Sequence, residues 1–268
     1  MEHNLNILSL LSLRATDVSL FGAKVANLAK ASQLGFMVPE GLAVSRLCTI
    51  DDFSIISQRI LEKLSTPVAV RSSATKEDSE NKAFAGQFET HLGVRTTDDL
   101  LSAFMSVKHS GTTEHVRKYN GKAIPPCQIA VLFQRMVNAT RAGVAFSRDP
   151  ITGVEMVIIE SNYGLGKSVV DGDVTPDSIE YLSDGTYKTF IGRKSIHIVL
   201  DENRGTSVKE TPETESQRSS LSCEEIENIA YLTKKVEREL GFPADIEWAL
   251  DEDGILWLLQ ARPITTIR

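Results

Sequence analysis

The sequence predicts an α+β chain with two lobes of mixed or antiparallel sheet and flanking helices. Three observations predict this class: apolar runs typical of buried strands, segments with helical spacing of apolar residues, and a terminal run that predicts a hairpin. With 268 residues, 41% of them hydrophobic, the chain can bury a sizeable core. We expect one domain over residues 1–268, with lobe 1 at about 1–124 and lobe 2 at about 125–268.

The elements follow from hydrophobic spacing and from breakers such as Gly and Pro. Residues 201–220 are almost devoid of apolar side chains, so we expect a solvated connector there. Ser222 and Glu225 form a capping box for a helix that Gly241 ends. Further helices are expected at 22–34 and from 97 to before 111, strands at 68–71, 129–137, 144–147, 157–161 and 179–182, and a hairpin at 244–262.

The composition excludes some partners. A formal net charge of -7 and a pI near 5.4 argue against broad attraction to nucleic acid or to an anionic membrane, since both require a positive field. The three cysteines are widely spaced and lie outside any CxxC pattern, which argues against a disulfide framework or a zinc site. We see no targeting signal or membrane span, and expect a cytoplasmic protein.

Two segments of the first half could bind phosphate. Lys24 lies at the start of the first predicted helix, where free N–H groups and the helix dipole favour an anion. Arg71 opens a small, polar stretch that extends to Gln87 and contains Gly86, with Thr90 shortly after it. Such a loop could cover phosphate oxygens. Alone, the position of Lys24 is more typical of an ordinary surface lysine. The polar stretch is equally compatible with a capped surface loop.

The terminal hairpin could hold a metal ion. Strand alternation places Asp245 and Glu247 on one face of the first strand, and Gln260 and Arg262 on one face of the second. A four-residue turn pairing Leu250 with Ile255 puts Glu247 opposite Leu258 and Gln260 opposite Asp245, with Trp257 and Leu259 on the packed side. A carboxylate beside an amide oxygen could bind Mg²⁺, and Arg262 a phosphate. An amphipathic hairpin with a polar outer face remains the alternative.

Two other sequence patterns are weaker evidence of a binding or catalytic site. The turn Gly164-Leu165-Gly166-Lys167 lacks the spacing of a P-loop or of a dinucleotide-binding loop. No histidine lies at a convincing spacing for a metal site or a catalytic triad, so none is assigned a role.

Five stretches, in this order, resemble the ATP-binding domain shared by phosphoenolpyruvate synthase, pyruvate phosphate dikinase and rifampicin phosphotransferase. They are GAKVANLAKASQLGFMVPEGLAVS, VAVRSSATKEDSENKAFAGQFETHLGV, VLFQRMVNATRAGVAFSRDPITG, ESNYGLGKSVVDGDVTPDSIEY and DIEWALDEDGILWLLQARPIT. Together they cover nearly the whole chain. The resemblance implies an ATP-grasp fold whose two lobes clamp Mg-ATP, with AMP as the nucleotide product.

The resemblance also implies a role for each candidate residue. Lys24 and Arg71 would contact phosphates, and Gly86 and Thr90 would belong to the phosphate cover. The segment from Gln134 through Met136 to Val137 would face the adenine. Glu247 would be a metal or ribose-side ligand, and Gln260 and Arg262 would complete the metal and phosphate end.

Departures from the family pattern shape the expected function. Ala23 and Val25 replace glycines beside Lys24, Lys167 replaces a glutamate, and the segment 45–67 is short. Only six residues follow Arg262, without a phosphohistidine domain. We therefore expect a dikinase-type phosphotransferase subunit that binds ATP and Mg²⁺ and phosphorylates a histidine domain on a separate protein, and thence a small-molecule acceptor. The alternatives are a catalytically impaired ATP-binding regulatory protein and a kinase acting directly on a small molecule.

Overall fold

The computed structural model describes residues 7–14, 17–74, 89–110 and 129–266. Contacts between residues divide the chain into two compact units. Unit 1 comprises Met1–Gln33 and Pro39–Met136, and unit 2 comprises Leu34–Val38 and Val137–Arg268. The lobe boundary expected near residue 125 falls outside the described residues and stays a prediction.

The described residues of unit 1 form a five-stranded antiparallel sheet and three long helices. The strand order is β1-β2-β5-β3-β4. In chain order the elements are β1 (Ile7–Ser9), α1 (Val18–Gln33), β2 (Gly41–Val44), α2 (Ile50–Leu64), β3 (Val68–Ala74), β4 (Thr90–Val94), α3 (Thr97–Ser110) and β5 (Ile129–Arg135).

The core of unit 1 lies between one sheet face and helices α2 and α3. Phe53 of α2 stacks on Phe104 of α3 at 3.9 Å between ring centroids, and on Phe133 of β5 at 5.2 Å. Val68 and Val70 of β3 belong to the same buried cluster. Because side chains alternate along a strand, Ser73 lies on the opposite face of β3. Helix α1 packs there, so the sheet is covered by helices on both faces.

Helix α2 lies within the segment 45–67, which is shorter than the family pattern. It begins with a capping box: the Thr49 hydroxyl accepts the Asp52 N–H, and the Asp52 carboxylate accepts the Thr49 N–H. Phe53, Ile56, Ile60 and Leu64 recur on one face of the helix and are buried. The short segment therefore still supplies one complete helix to the core.

Unit 2 contains a six-stranded antiparallel sheet in the order β13-β12-β6-β7-β8-β9, together with a separate two-stranded ribbon, β10-β11. The elements are β6 (Ala139–Phe146), β7 (Val157–Tyr163), α4 (Lys167–Val170), β8 (Asp177–Tyr181), β9 (Tyr187–Phe190), β10 (Ile196–Asp201), β11 (Gly205–Glu210), α5 (Glu213–Ser216), α6 (Cys223–Leu240), β12 (Ala244–Asp251) and β13 (Leu256–Pro263).

Helix α6 packs on one face of the six-stranded sheet. Ser222 and Glu225 form the predicted capping box, and Gly241 ends the helix in the left-handed conformation. The covered face carries Trp248 and Ile246, both fully buried. We call this the packed face, and the opposite side of the same sheet the open face.

The predicted α+β class, with antiparallel sheets and flanking helices, is confirmed. The expected connector at 201–220 is wrong in part, because β11 and α5 form there and Ser220 is buried. Strand β11 pairs with β10, whose partly apolar sequence lies before the segment, so a polar strand is stabilised by its neighbour. Within the described part of the chain, no helix combines the length and apolar character of a membrane span.

Candidate functional site

Helix α1 is interrupted at Gly22, two residues before Lys24. Gly22 has φ 80° and ψ 165°, a region that residues with a Cβ essentially avoid. A Cβ there would lie 2.3 Å from the Ser73 Oγ and 2.7 Å from the Ser73 carbonyl oxygen. The break starts a new helical segment, and Lys24 lies in its first turn. This agrees with the predicted position of Lys24 at a helix start.

The substitutions beside Lys24 leave this geometry intact. The glycine that the backbone requires is Gly22, which the chain retains. Val25 is fully buried, and its N–H donates to the Ser73 Oγ at 3.3 Å. Its side chain therefore packs inside unit 1 rather than lying on the surface that a ligand would approach.

Arg71, Thr90 and Gln134 share one face of the sheet in unit 1. Arg71 of β3 is paired directly with Thr90 of β4, while Gln134 of β5 is paired with Ala69 of β3. Directly paired residues point to the same side of an antiparallel sheet, and Ala69, Arg71 and Ser73 alternate onto that side. This is the face that contacts the Lys24 helix. Three of the predicted site residues thus share one sheet face of unit 1, and Lys24 belongs to the helix that packs on that face.

Strand β3 includes the first residues of the segment that was predicted to be a loop. Residues from Arg71 to Ala74 are in β3 rather than in the loop expected from Arg71 onwards. Pairing with β5 stabilises this polar stretch, which local sequence could not show. Gly86, predicted to cover phosphate, lies outside the described residues.

The predicted adenine-facing segment joins the two units in sequence. The Gln134 side chain is buried and donates to the Pro39 carbonyl at 3.4 Å. The Met136 N–H donates to the Pro67 carbonyl at 3.0 Å, and the Val137 carbonyl accepts from the Ala139 N–H at 2.9 Å. The segment is therefore fixed by its own hydrogen bonds, and its contact with adenine stays a prediction.

The terminal hairpin forms with a register different from the predicted one. Glu247 is paired with Gln260 and Asp245 with Arg262, whereas Leu250 is paired with Leu256. The Asp251 carboxylate accepts the Asp253 and Ile255 N–H groups, which lengthens the turn.

A bulge next to Trp248 then shifts the register again, so that Trp248 is paired with Leu258 and Glu247 with Gln260. As a result Leu258 and Ala261, not Leu259 and Trp257, face the packed side opposite Trp248 and Ile246. The predicted grouping of the four polar residues on one side is retained.

Asp245 holds the Arg262 guanidinium. The Arg262 Nε and Nη2 donate to the Asp245 Oδ2 at 2.8 Å and 2.7 Å. Asp245 is only 8% exposed, and the Arg262 side chain is 23% exposed. Two charge-assisted contacts to one carboxylate restrict the orientation of the guanidinium. Arg262 is thus a positively charged group held at a defined place on the open face.

Glu247 and Gln260 fit a magnesium site. They are direct partners on adjacent strands, and such pairs have Cβ atoms about 4.5–5.5 Å apart. The pair offers a carboxylate and an amide oxygen, which are suitable ligands for Mg²⁺. No group of three His, Cys, Asp or Glu residues able to hold a metal occurs among the residues that the structure describes. Mg²⁺ does not require one, since it keeps several waters and binds substrate phosphates.

Glu160 of β7 is a further carboxylate on the open face that the sequence did not reveal. Burial raises the pKa of Glu160, and the nearby Asp245 carboxylate raises this pKa further. In the sequence Glu160 is one acidic residue in an apolar run. Only the order of the strands brings it to the face that carries Glu247.

The charge reversal at Lys167 is compensated locally. Lys167 starts the short helix α4 and forms an ion pair with Asp171 one turn later. Both side chains are 41% exposed. The lysine is thus partly neutralised by its own helix.

A surface cavity of about 500 Å³ in unit 2 is separate from these residues. Phe36, Tyr231, Lys235 and Leu256 help to line it, and none of the predicted site residues does so. Its position beside α6 associates it with the packed side of the sheet. It is not the candidate site.

The sequence from 49 to 268 matches the family described as pyruvate phosphate dikinase, AMP/ATP-binding domain. Curated relatives include the prodigiosin synthesizing transferase PigC of Serratia marcescens, 38% identical over 74% of this chain and 23% of that protein. The phosphotransferase YvkC of Bacillus subtilis is 33% identical over 92% of this chain and 34% of its own length. A probable phosphoenolpyruvate synthase of Methanocaldococcus jannaschii is 33% identical over 100% of this chain and 22% of its own length.

Two solved structures show a weaker likeness. The D-alanine-D-alanine ligase of Coxiella burnetii has 10% identity and a TM-score of 0.43, covering 92% of this chain and 48% of that one. The D-alanyl-alanine synthetase A of Vibrio cholerae has 11% identity and the same TM-score, covering 93% and 57%. At this TM-score neither supports a conclusion about function.

The match to the family extends over most of the chain, including α2, β3, the polar hairpin and the other described elements from residue 49 onwards. The chain spans only 22% to 34% of the lengths of the three curated relatives. It belongs to the pyruvate phosphate dikinase AMP/ATP-binding domain family.

Proposed function

We propose that this chain binds Mg-ATP and delivers a phosphoryl group from it to a histidine outside these 268 residues. The observation that carries the proposal is the pairing of Glu247 with Gln260 and of Asp245 with Arg262 on one sheet face. A pair with suitable oxygen ligands for Mg²⁺ thus adjoins an oriented cation, and phosphoryl transfer requires positioning and neutralisation of phosphate charge. The choice of ATP as the ligand is supported by the membership of this chain in an AMP/ATP-binding domain family.

Each unit contributes to this proposal. In unit 1, Lys24 at a helix start and Arg71 on the adjoining sheet face would neutralise phosphate charge, with Thr90 beside Arg71. In unit 2, Arg262 would contact a phosphate while Asp245 keeps the guanidinium in place. Mg²⁺, when bound by Glu247 and Gln260, would neutralise charge on the phosphates.

The proposed acceptor of the phosphoryl group is inferred from the relatives. The region that they share with this chain is only 22% to 34% of their own lengths, and their names describe transferases and a phosphoenolpyruvate synthase. We propose that the phosphorylated histidine belongs to a separate protein, and that a small molecule is the final acceptor. Within the described residues, His91 contacts Glu89, and His197 contacts Thr211, so both are engaged locally.

The test incubates the chain with labelled ATP, Mg²⁺ and a separately produced phosphohistidine domain from a relative. We expect AMP and inorganic phosphate to form together only when both proteins are present, because the histidine receives the β-phosphate and water receives the γ-phosphate. Label in the β-position of ATP should therefore appear on the added domain, and label in the γ-position should appear in inorganic phosphate. The same domain with its histidine replaced by alanine is the matched control. Stable ADP as the product would contradict the proposal. ATP binding without AMP would instead support an ATP-binding regulatory protein.

A further inference from the structure

The outer strand β9 leaves one edge of the six-stranded sheet open. Directly opposite residues of an antiparallel ladder alternate between hydrogen-bonded and non-hydrogen-bonded pairs. The Leu182 N–H donates to the Thr186 carbonyl at 2.8 Å, and the ladder continues from there along β8 and β9. The alternation leaves the backbone N–H and C=O groups of Tyr187 and Thr189 pointing away from β8. Outside the sheet ladders, no hydrogen bond between the described residues involves these groups.

The opposite edge of the same sheet is partly covered by the chain itself. On β13 the Leu258 N–H donates to the Met37 carbonyl at 2.8 Å, and Pro263 ends the strand without an N–H. On β9, two large apolar side chains adjoin the open backbone instead. Phe190 is 54% exposed, and Ile191, the next residue, is 47% exposed. Unpaired backbone groups beside exposed apolar side chains form a template for pairing with another strand.

The side chains of β9 suit pairing with a second copy of the same strand in one register. The two antiparallel registers nearest the middle of the strand are centred on Lys188 and on Thr189. Centring on Lys188 sets the two lysines directly opposite each other, a repulsion by which edge lysines prevent pairing. Centring on Thr189 sets Lys188 of each copy opposite Phe190 of the other, where the ammonium can lie over the ring. Tyr187 then lies opposite Ile191 of the second copy, and pairs of aromatic and β-branched residues stabilise sheets.

We propose that β9 is a dimerisation strand, which pairs antiparallel with β9 of a second copy of this chain in the register centred on Thr189. The same edge of both copies is used, so the interface is isologous and the assembly closes at the dimer. The two six-stranded sheets become one continuous sheet, with both open faces on the same side. The inference does not depend on the proposed function, because none of the candidate site residues takes part in the pairing.

The experiment measures the dimerisation constant of the full chain by sedimentation equilibrium, at protein concentrations of about 1 µM to 1 mM, which cover weak interfaces. The proteins compared are the native chain, Phe190→Lys, the double variant Lys188→Glu with Phe190→Lys, Thr189→Pro, and the control Val208→Lys. Val208 is 63% exposed in β11, outside the six-stranded sheet, so the control adds the same charge at another exposed apolar position. We expect the native chain and the control to form dimers with the same constant.

Phe190→Lys sets a lysine opposite Lys188 on both sides of the symmetry axis and should weaken the dimer roughly tenfold. The double variant sets opposite charges in the same places and should restore dimerisation. Thr189→Pro removes an outward N–H that β8 does not use, so the chain should keep its native circular dichroism spectrum but lose the dimer. A native chain that stays monomeric would overturn the inference. So would a dimer as stable in Phe190→Lys as in the control, or a double variant no better than Phe190→Lys alone.

Discussion

Replacement of Gly22 by alanine tests whether the break in α1 fixes the Lys24 segment. The backbone at Gly22 would hold an alanine in a region that costs about 1–3 kcal/mol. The added Cβ would meet Ser73 at 2.3 Å, and relieving such an overlap in a packed core costs about 1–3 kcal/mol more. Alanine also reduces the conformational freedom of the unfolded chain, which stabilises the folded state by about 0.4–1 kcal/mol.

The net expectation is a loss of about 3 kcal/mol, or roughly 6–12 °C in Tm at about 2–4 °C per kcal/mol. Gly35→Ala is the matched control, because Gly35 has φ 83° but no atom within 4 Å of the added Cβ. It should cost only about 1 kcal/mol from backbone strain. Denaturant unfolding of both variants measures the difference. If Gly22→Ala were no less stable than Gly35→Ala, the contact with Ser73 would not be what fixes this segment.

Three further predictions concern unit 2. Lys194→Met should cost about 3–5 kcal/mol of unfolding free energy, because it leaves Asp177 buried without the ammonium now 2.5 Å away; an unchanged denaturation midpoint would refute this. Glu160→Gln should be more stable than the native chain near pH 7. Burial raises the folded pKa of Glu160, so the native chain loses stability as pH rises through that pKa, and the gain should vanish in melts below about pH 4.5. Asp245→Asn should weaken Mg-ATP binding in calorimetry while the circular dichroism spectrum stays native, since Arg262 loses its charged anchor; undiminished affinity would exclude this positioning role.

The sequence predicted best the elements that local signals define. The helix expected from Thr97 is α3, and the capping box at Ser222 with Gly241 bounds α6. Strands β1, β2 and β4 were not predicted, because each is short and is stabilised by pairing with strands distant in sequence. The hairpin register was wrong because a bulge and a longer turn depend on packing and on Asp251.

The candidate site could be predicted in part. Alternation along single strands correctly grouped Glu247 with Asp245, and Gln260 with Arg262. The pairing of Arg71 with Thr90 and the position of Glu160 could not be predicted, since both depend on the order of strands. The roles assigned to Lys24 and the adenine-facing segment remain predictions.

The most direct test of the central claim is the affinity of the full chain for Mg-ATP by calorimetry, with one variant in each unit. Lys24→Ala and Glu247→Ala are compared with Lys30→Ala and Glu252→Ala, which change exposed residues of the same helix and the hairpin turn. The account predicts that the native chain and both controls bind Mg-ATP, whereas each site variant binds at least tenfold more weakly. Absence of binding by the native chain, or equal affinity in all five proteins, would contradict it.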